Sequence, residues 1–237
     1  MSPEIVVAEA GALARVLVDL VRVATSEGAA RDRLSMALPG GSAAEALLPA
    51  LARAALDWTR WDFFWGDERA VAPGHPDSNY GLGRRLFLGP IEADPRRVHR
   101  MKAEGPDLEA AANQYEAEMV AVLGDPPALD LVLMGMGPDG HVCSLFPGHR
   151  ALGEETRYVL AISDSPKPPP RRVTLSLRAL DEARVVCVAA FGEGKAEALR
   201  AALGDPASRL PVARVARSAR RALFLLDPAA SARLSPV

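Results

Sequence analysis

A chain of 237 residues with 49% hydrophobic residues can bury one α/β core or two small ones. Its formal net charge of -2, from 28 Lys+Arg against 30 Asp+Glu, gives no bulk attraction to nucleic acid or to a membrane surface. The 2 cysteines, Cys143 and Cys187, lack metal or redox spacing and suit a reducing compartment, no apolar run is long enough to span a bilayer, and Met1-Ser-Pro-Glu-Ile5 does not read as a signal peptide.

Residues 8 to 24 predict an amphipathic helix, with Leu13, Val16, Leu17, Leu20 and Val21 at helical spacing. Leu34 to Leu38 reads as the first central strand. It runs into Pro39-Gly40-Gly41-Ser42 and a helix from Ala43 to Leu56, bent near Pro49. A strand, a glycine turn and a helix N-terminus together can offer backbone N–H groups to an anion. The same residues also read as an ordinary βα turn with Ser42 as N-cap.

Trp61 to Trp65 predicts the next strand, with Asp67, Glu68 and Arg69 directly after it. Three charges there form either a solvated turn or the ligand edge of a sheet, where an arginine binds phosphate or carboxylate bidentately. Asp77-Ser78-Asn79 caps a helix to about Leu88. His75 and His99 are assigned to surface or local structure. Asp107 to Leu123 predicts a helix with Leu108, Ala111, Ala112, Tyr115, Met119 and Val122 on its apolar stripe, stopped by Gly124-Asp-Pro-Pro127.

Leu131 to Met134 is an unbroken apolar run, as expected for a parallel strand covered on both faces. Gly135, Gly137, Pro138 and Gly140 then break the pattern, and Asp139 and His141 are placed within that turn. Glycine permits positive φ and close approach of backbone to a ligand, and ligands bind beyond the carboxyl ends of strands in open α/β sheets. The turn is a site candidate. The competing reading is a structural turn in which Asp139 caps a short helix and His141 is a core histidine. The Gly135-x-Gly137-x-x-Gly140 spacing also fits a dinucleotide fingerprint, but Pro147-Gly148 leaves little room for the helix that fingerprint needs.

Arg157 to Ile162 predicts a strand, Ser163 to Pro170 a mobile loop at the site rim, and Val173 to Leu177 another strand. Val185 to Ala190 is a buried strand, followed by Phe191-Gly-Glu-Gly-Lys195 opening a helix to about Leu203. Lys195 thus lies just past a strand end. Ala222 to Leu226 is the final strand, and Ala229 onward reads as a frayed tail. Strands alternating with helices give a parallel-rich α/β sheet.

Gly135-Met-Gly-Pro-Asp-Gly-His-Val-Cys-Ser-Leu-Phe-Pro-Gly148 resembles the signature of the 6-phosphogluconolactonases. Leu38-Pro-Gly-Gly-Ser42, Trp65-Gly-Asp-Glu-Arg69 with Asp77-Ser-Asn-Tyr80, and Lys167-Pro-Pro-Pro-Arg-Arg-Val-Thr-Leu175 agree in the expected order. The chain departs from the family's Thr-Pro at Ala43-Ala44 and from its Thr-Ala at Val142-Cys143, which removes side-chain hydroxyls at those points. The resemblance implies a Rossmann-like three-layer sandwich with a mostly parallel central sheet, a single unit over residues 1–237, related to the sugar-phosphate isomerase and deaminase group. It also implies hydrolysis of 6-phospho-D-glucono-1,5-lactone in the cytoplasm. Expected partners are a small-molecule sugar-phosphate lactone, no nucleic acid and no membrane, with the chain a monomer or weak homo-oligomer.

On that resemblance His141 is the proton-transfer group, with Asp139 orienting it or the substrate hydroxyls. Gly40, Gly41, Ser42, Asp67, Arg69, Arg172 and Lys195 are the substrate-binding candidates. No metal or other cofactor is expected, because a lactone carbonyl is already electrophilic. Aminosugar-phosphate deaminases also carry Gly-x-Gly-x-Asp-Gly-His, but they continue toward Phe-Asn-Glu-Pro, where this chain has Ser144-Leu145-Phe146-Pro147. A non-catalytic sugar-phosphate sensor would be expected to carry a DNA-binding module, and no helix-turn-helix or basic stripe is legible. A cysteine hydrolase pairing Cys143 with His141 is the weakest alternative, since Cys143 also reads as a small buried residue.

Overall fold

The computed structural model describes residues 2–234. Their strands are β1 (Glu4–Val7), β2 (Leu34–Leu38), β3 (Trp61–Trp65), β4 (Asp67–Arg69), β5 (Leu131–Gly135), β6 (Val159–Ile162), β7 (Arg172–Leu175), β8 (Val185–Ala190) and β9 (Ala222–Leu226). The α-helices are α1 (Ala10–Glu27), α2 (Gly41–Arg53), α3 (Asn79–Gly83), α4 (Leu108–Leu123), α5 (Leu177–Glu182), α6 (Ala196–Gly204), α7 (Pro211–Ser218) and α8 (Pro228–Ser231).

A six-stranded sheet in the order β1-β9-β8-β5-β2-β3 is parallel throughout its recorded pairings. Helices cover both faces. Leu131 and Leu133 of β5 pack in the layer of α1 and α2, beside Leu17 and Leu47. Val132 and Met134 pack on the other side with α4, α6 and α7, beside Tyr115, Leu199 and Val212. This is why β5 reads as a continuous apolar run: alternate side chains enter different cores, and both are dry.

A smaller antiparallel sheet, β4-β7-β6, lies at the carboxyl end of β3. Gly66 links β3 to β4, so the chain leaves one sheet and enters the other within a residue. Asp67-Glu-Arg69 is therefore neither a solvated turn nor a simple strand end. It is a short strand, with Arg69 opposite Arg172 and Asp67 opposite Thr174. The buried Glu68 carboxylate docks the start of α3 by accepting from the backbone N–H groups of Asn79 and Tyr80, each at 2.8 Å, and from Ser78 Oγ at 2.9 Å.

Several sequence expectations are corrected. The predicted Val173–Leu177 strand is Arg172–Leu175. Ser176 then caps α5, accepting from Ala179 N at 3.2 Å, so Leu177 starts a helix instead of ending a strand. β1 and α7 were not legible. β1 is only four residues long, and α7 is announced chiefly by Pro211 at its first position. The tail expected from Ala229 onward contains α8. Asp227 caps it by accepting from Ala230 N at 2.7 Å and also receives Gly192 N at 2.9 Å. The last three residues of that expected tail lie outside the described residues.

Candidate active site

The carboxyl ends of β2, β5 and β8 and the β4–β7 pair of the small sheet enclose a cleft with a cavity volume of about 190 Å³. Among the sequence-predicted residues, Gly40, Gly41, Ser42, Asp67, Arg69, His141, Arg172 and Lys195 line it, and Asp139 lies directly behind His141. One wall is the N-terminus of α2, which has no side-chain cap. The first N–H groups of an uncapped helix lack intrahelical partners and carry the positive end of its dipole. Ser42 is helical and does not cap the turn, so the wall is left open to an anion.

The loop after β5 closes tightly. Gly137 N donates to His141 O at 2.9 Å and Gly140 N to Gly137 O at 3.0 Å, with Gly140 at φ 81°. No α-helix follows, because the next helical turn is a single 3₁₀ turn at Arg150–Gly153. This removes both the dinucleotide reading and the reading of Asp139 as a helix cap. Asp139 Oδ1 lies instead 2.6 Å from His141 Nδ1. That contact assigns the Nδ1 proton to the bond with Asp139. Nε2 has no protein partner among the described residues and is left as an acceptor.

Lys167 joins this pair, with Nζ 3.0 Å from Asp139 Oδ2. Partial burial works to raise the Asp139 pKa, but the hydrogen bonds from His141 and Lys167 outweigh it and hold the carboxyl at about 2. For His141, burial is the largest influence and lowers the pKa. Asp139 opposes that shift, and the Lys167 ammonium adds to it. The net result favours a neutral imidazole beside an ionised carboxylate.

The other charged groups divide into free and engaged. Lys195 lies across the cleft, its pKa lowered by burial and by the nearby Lys167, with Asp139 opposing. The Arg69 guanidinium donates one bond, Nη1 to Asp77 O at 2.8 Å, and its buried Nε has no partner among the described residues. Arg172 is buried and largely committed. Nε donates to Pro169 O at 2.9 Å, Nη2 to Lys167 O and Pro168 O at 3.1 Å each, and Nη1 to Ser144 Oγ at 3.3 Å. Asp67 accepts from Ser144 Oγ at 2.6 Å and from Asn79 Nδ2 at 3.1 Å.

A family model described as glucosamine-6-phosphate isomerases/6-phosphogluconolactonase matches residues 8–224. The chain is 42% identical to the 6-phosphogluconolactonase of Streptomyces coelicolor, over 96% of this chain and 90% of that one. It is 43% identical to the 6-phosphogluconolactonase of Mycobacterium tuberculosis, over 87% of each. The solved structure of 6-phosphogluconolactonase from Trypanosoma brucei superposes with a TM-score of 0.86 at 30% identity, over 98% of this chain and 99% of that one. The chain belongs to the glucosamine-6-phosphate isomerase/6-phosphogluconolactonase family.

Other features of this family member also depart from the sequence reading. The Pro-rich rim loop, expected to be mobile, is held by Arg172 and by Ser165 N donating to Pro170 O at 3.0 Å. Prolines donate no N–H, so this loop has few backbone donors of its own, and Ser165 and Arg172 supply the donors to its carbonyls. Lys167 was legible only as part of the Lys-Pro-Pro-Pro-Arg-Arg motif. Its place beside the histidine follows from how Arg172 folds that loop. Of the two histidines assigned to surface or local structure, His99 takes a buried structural role. It stacks on Phe64 at 4.6 Å and bridges Asp62, 3.0 Å from Nε2, and Glu118, 2.7 Å from Nδ1. Cys143 does not engage His141. Burial, with the Asp67 carboxylate adding to it, pushes its thiol well above the ordinary range, which suits neither a nucleophile nor a metal ligand. No helix among the described residues is long and apolar enough to cross a membrane.

Proposed function

We propose that this chain hydrolyses 6-phospho-D-glucono-1,5-lactone to 6-phospho-D-gluconate, the activity named for its relatives. The observation that carries the proposal is the Asp139–His141 pair. Its unpartnered Nε2 faces a cleft whose walls are the uncapped α2 terminus, Arg69 and Lys195. Two carboxylates there, Asp67 and Asp139, already have protein partners, so the free capacity of the cleft is for a negatively charged ligand.

In this reading His141 Nε2 takes a proton from a water, and the resulting hydroxide adds to the C1 carbonyl. The tetrahedral oxyanion collapses with cleavage of the bond from C1 to the ring oxygen. The His141 imidazolium returns its proton to that oxygen, which becomes the C5 hydroxyl. Asp139 holds the ring orientation and stabilises the imidazolium as it forms. The amides at Gly40, Gly41 and Ser42, with Arg69 and Lys195, hold the phosphate or stabilise the oxyanion. Arg172 contributes at most one N–H directly, and Asp67 positions Ser144 and Asn79. No cofactor enters these steps, since the base and the electrophile are both present.

Both sheets supply residues to the cleft, which supports residues 1–237 acting as one unit. The free thiols suit a reducing cytoplasm, and large apolar side chains exposed singly, such as Val7 and Val23, suit a monomer or weak association. The test is a two-substrate assay with chelator present. Loss of the lactone above its spontaneous hydrolysis is expected. Ammonia release from glucosamine 6-phosphate, with no lactone acceleration, would replace this reading with the deaminase one.

A further inference from the structure

The Lys167 ammonium reaches the Asp139–His141 pair from neither the β5 loop nor a strand end. It arrives on the rim loop, residues 163–171. Arg172 holds the carbonyls of Lys167, Pro168 and Pro169, with donor distances of 2.9–3.1 Å. Ser165 Oγ also donates to Lys167 O at 2.9 Å and accepts from Lys167 N at 3.2 Å. The lysine backbone is thus fixed by its own loop, and its side chain reaches Asp139 Oδ2 at 3.0 Å, with Nζ 3.2 Å from His141 Nδ1. Two donors cannot share one bond. With the Nδ1 proton given to Asp139 Oδ1, the ammonium satisfies the second carboxylate oxygen and stands against the imidazole as a positive charge.

We propose that Lys167 is a positioning residue for the hydrolytic step, its ammonium pinning Asp139 and keeping His141 neutral, protonated at Nδ1, with Nε2 free to accept a proton from water. The inference rests on the reading of His141 as the proton-transfer group. The charges around the imidazole bear this out. Asp139 and Asp67 favour the imidazolium, whereas Lys167 disfavours it; Lys195, Arg69 and Arg172 are the other cations lining the cleft, and Arg172 lies over the Phe146 ring that packs against His141. Among these cations Lys167 lies within hydrogen-bond reach of the Asp139–His141 pair. Removing it takes away an opposing charge at contact distance, and with it one constraint on the carboxylate that orients the ring.

Lys167→Met and Lys167→Arg test this in the full chain, with two readouts. The first is the imidazole titration of His141 followed by NMR, assigned against His141→Asn. The second is the pH profile of kcat/KM for the lactone. In Lys167→Met the His141 titration and the acid limb of the profile should both move to higher pH, and Lys167→Arg should return both toward wild type. Affinity for 6-phosphogluconate should change less than about threefold. An unmoved NMR titration in Lys167→Met would overturn the proposal. So would a loss of product affinity with an unshifted pH profile, because Lys167 would then be a phosphate ligand. If the NMR titration moved while the profile stayed fixed, Lys167 would still govern the imidazole, and the assignment of His141 as the proton-transfer group would be the part that failed.

Discussion

The missing side chain of Gly137 is the space occupied by the His141 imidazole. A Cβ at position 137 would lie 2.0 Å from Nδ1, 2.1 Å from Cε1 and 2.5 Å from Asp139 Oδ1. Gly137 has an ordinary negative-φ backbone, so alanine is excluded there by the imidazole and not by the main chain. Gly137→Ala should displace the ring and break its bond to Asp139. A misplacement of about 1 Å in a catalytic group can cost about 10²-fold in rate. The melting temperature should move little, because the ring sits at the cleft and not in a core. Steady-state rates and a thermal melt on the same protein check this. Wild-type turnover would show that the His141–Asp139 geometry is dispensable.

His141→Asn keeps a polar group of similar reach but removes the titrating nitrogen. General acid–base groups contribute about 10²–10⁴-fold, and kcat should fall on that order. Affinity for 6-phosphogluconate should persist, since the residues proposed to hold the phosphate lie on other elements. Calorimetric titration with the product, beside the rate, separates a lost catalyst from a lost fold. A folded variant at the wild-type rate would remove His141 from the mechanism.

Arg69→Ala and Lys195→Ala should chiefly raise KM or weaken product binding, and added salt should imitate part of the effect in the wild-type protein. Arg172→Ala should behave differently. Its guanidinium holds three rim-loop carbonyls, so the loss should appear in kcat and in loop protection from hydrogen exchange as well as in binding. Unchanged kinetics in both Arg69→Ala and Lys195→Ala would mean that these cations are not ligand contacts.

His99 gives a stability prediction with a sign. Burial lowers its pKa, but the hydrogen bonds to Asp62 and Glu118 outweigh burial and leave it raised above the ordinary 6.5. A raised folded value means that the stabilisation is fully present below about pH 6.5 and is lost as pH rises through the folded value. His99→Gln removes one buried partner of Asp62 and should cost about 1–3 kcal/mol. Chemical denaturation at pH 5.5 and pH 8.5 should show the larger deficit at the acid pH. An equal deficit at both would mean that His99 acts by packing on Phe64 alone.

The sequence by itself determined the central strands and the position of the loop proposed to carry the acid–base pair. β2, β3, β8 and β9 were legible to the residue because a strand covered on both faces has no polar alternation to confuse its ends. Asp139 and His141 were legible because glycine and proline mark a turn locally, and the charged residues lie within it. Tertiary structure alone decided which distant segments meet. The antiparallel pairing of β4 with β7 sets Arg69 opposite Arg172, about a hundred residues away in sequence. That pairing leaves the Arg172 guanidinium free to gather the rim-loop carbonyls and bring Lys167 to Asp139. His99 likewise looked peripheral until Asp62 and Glu118 closed around it. Periodicity reports which face of an element is buried, because burial repeats with the geometry of that element. It does not report the partner across the interface, which depends on register between segments and on where each side chain's donors are used.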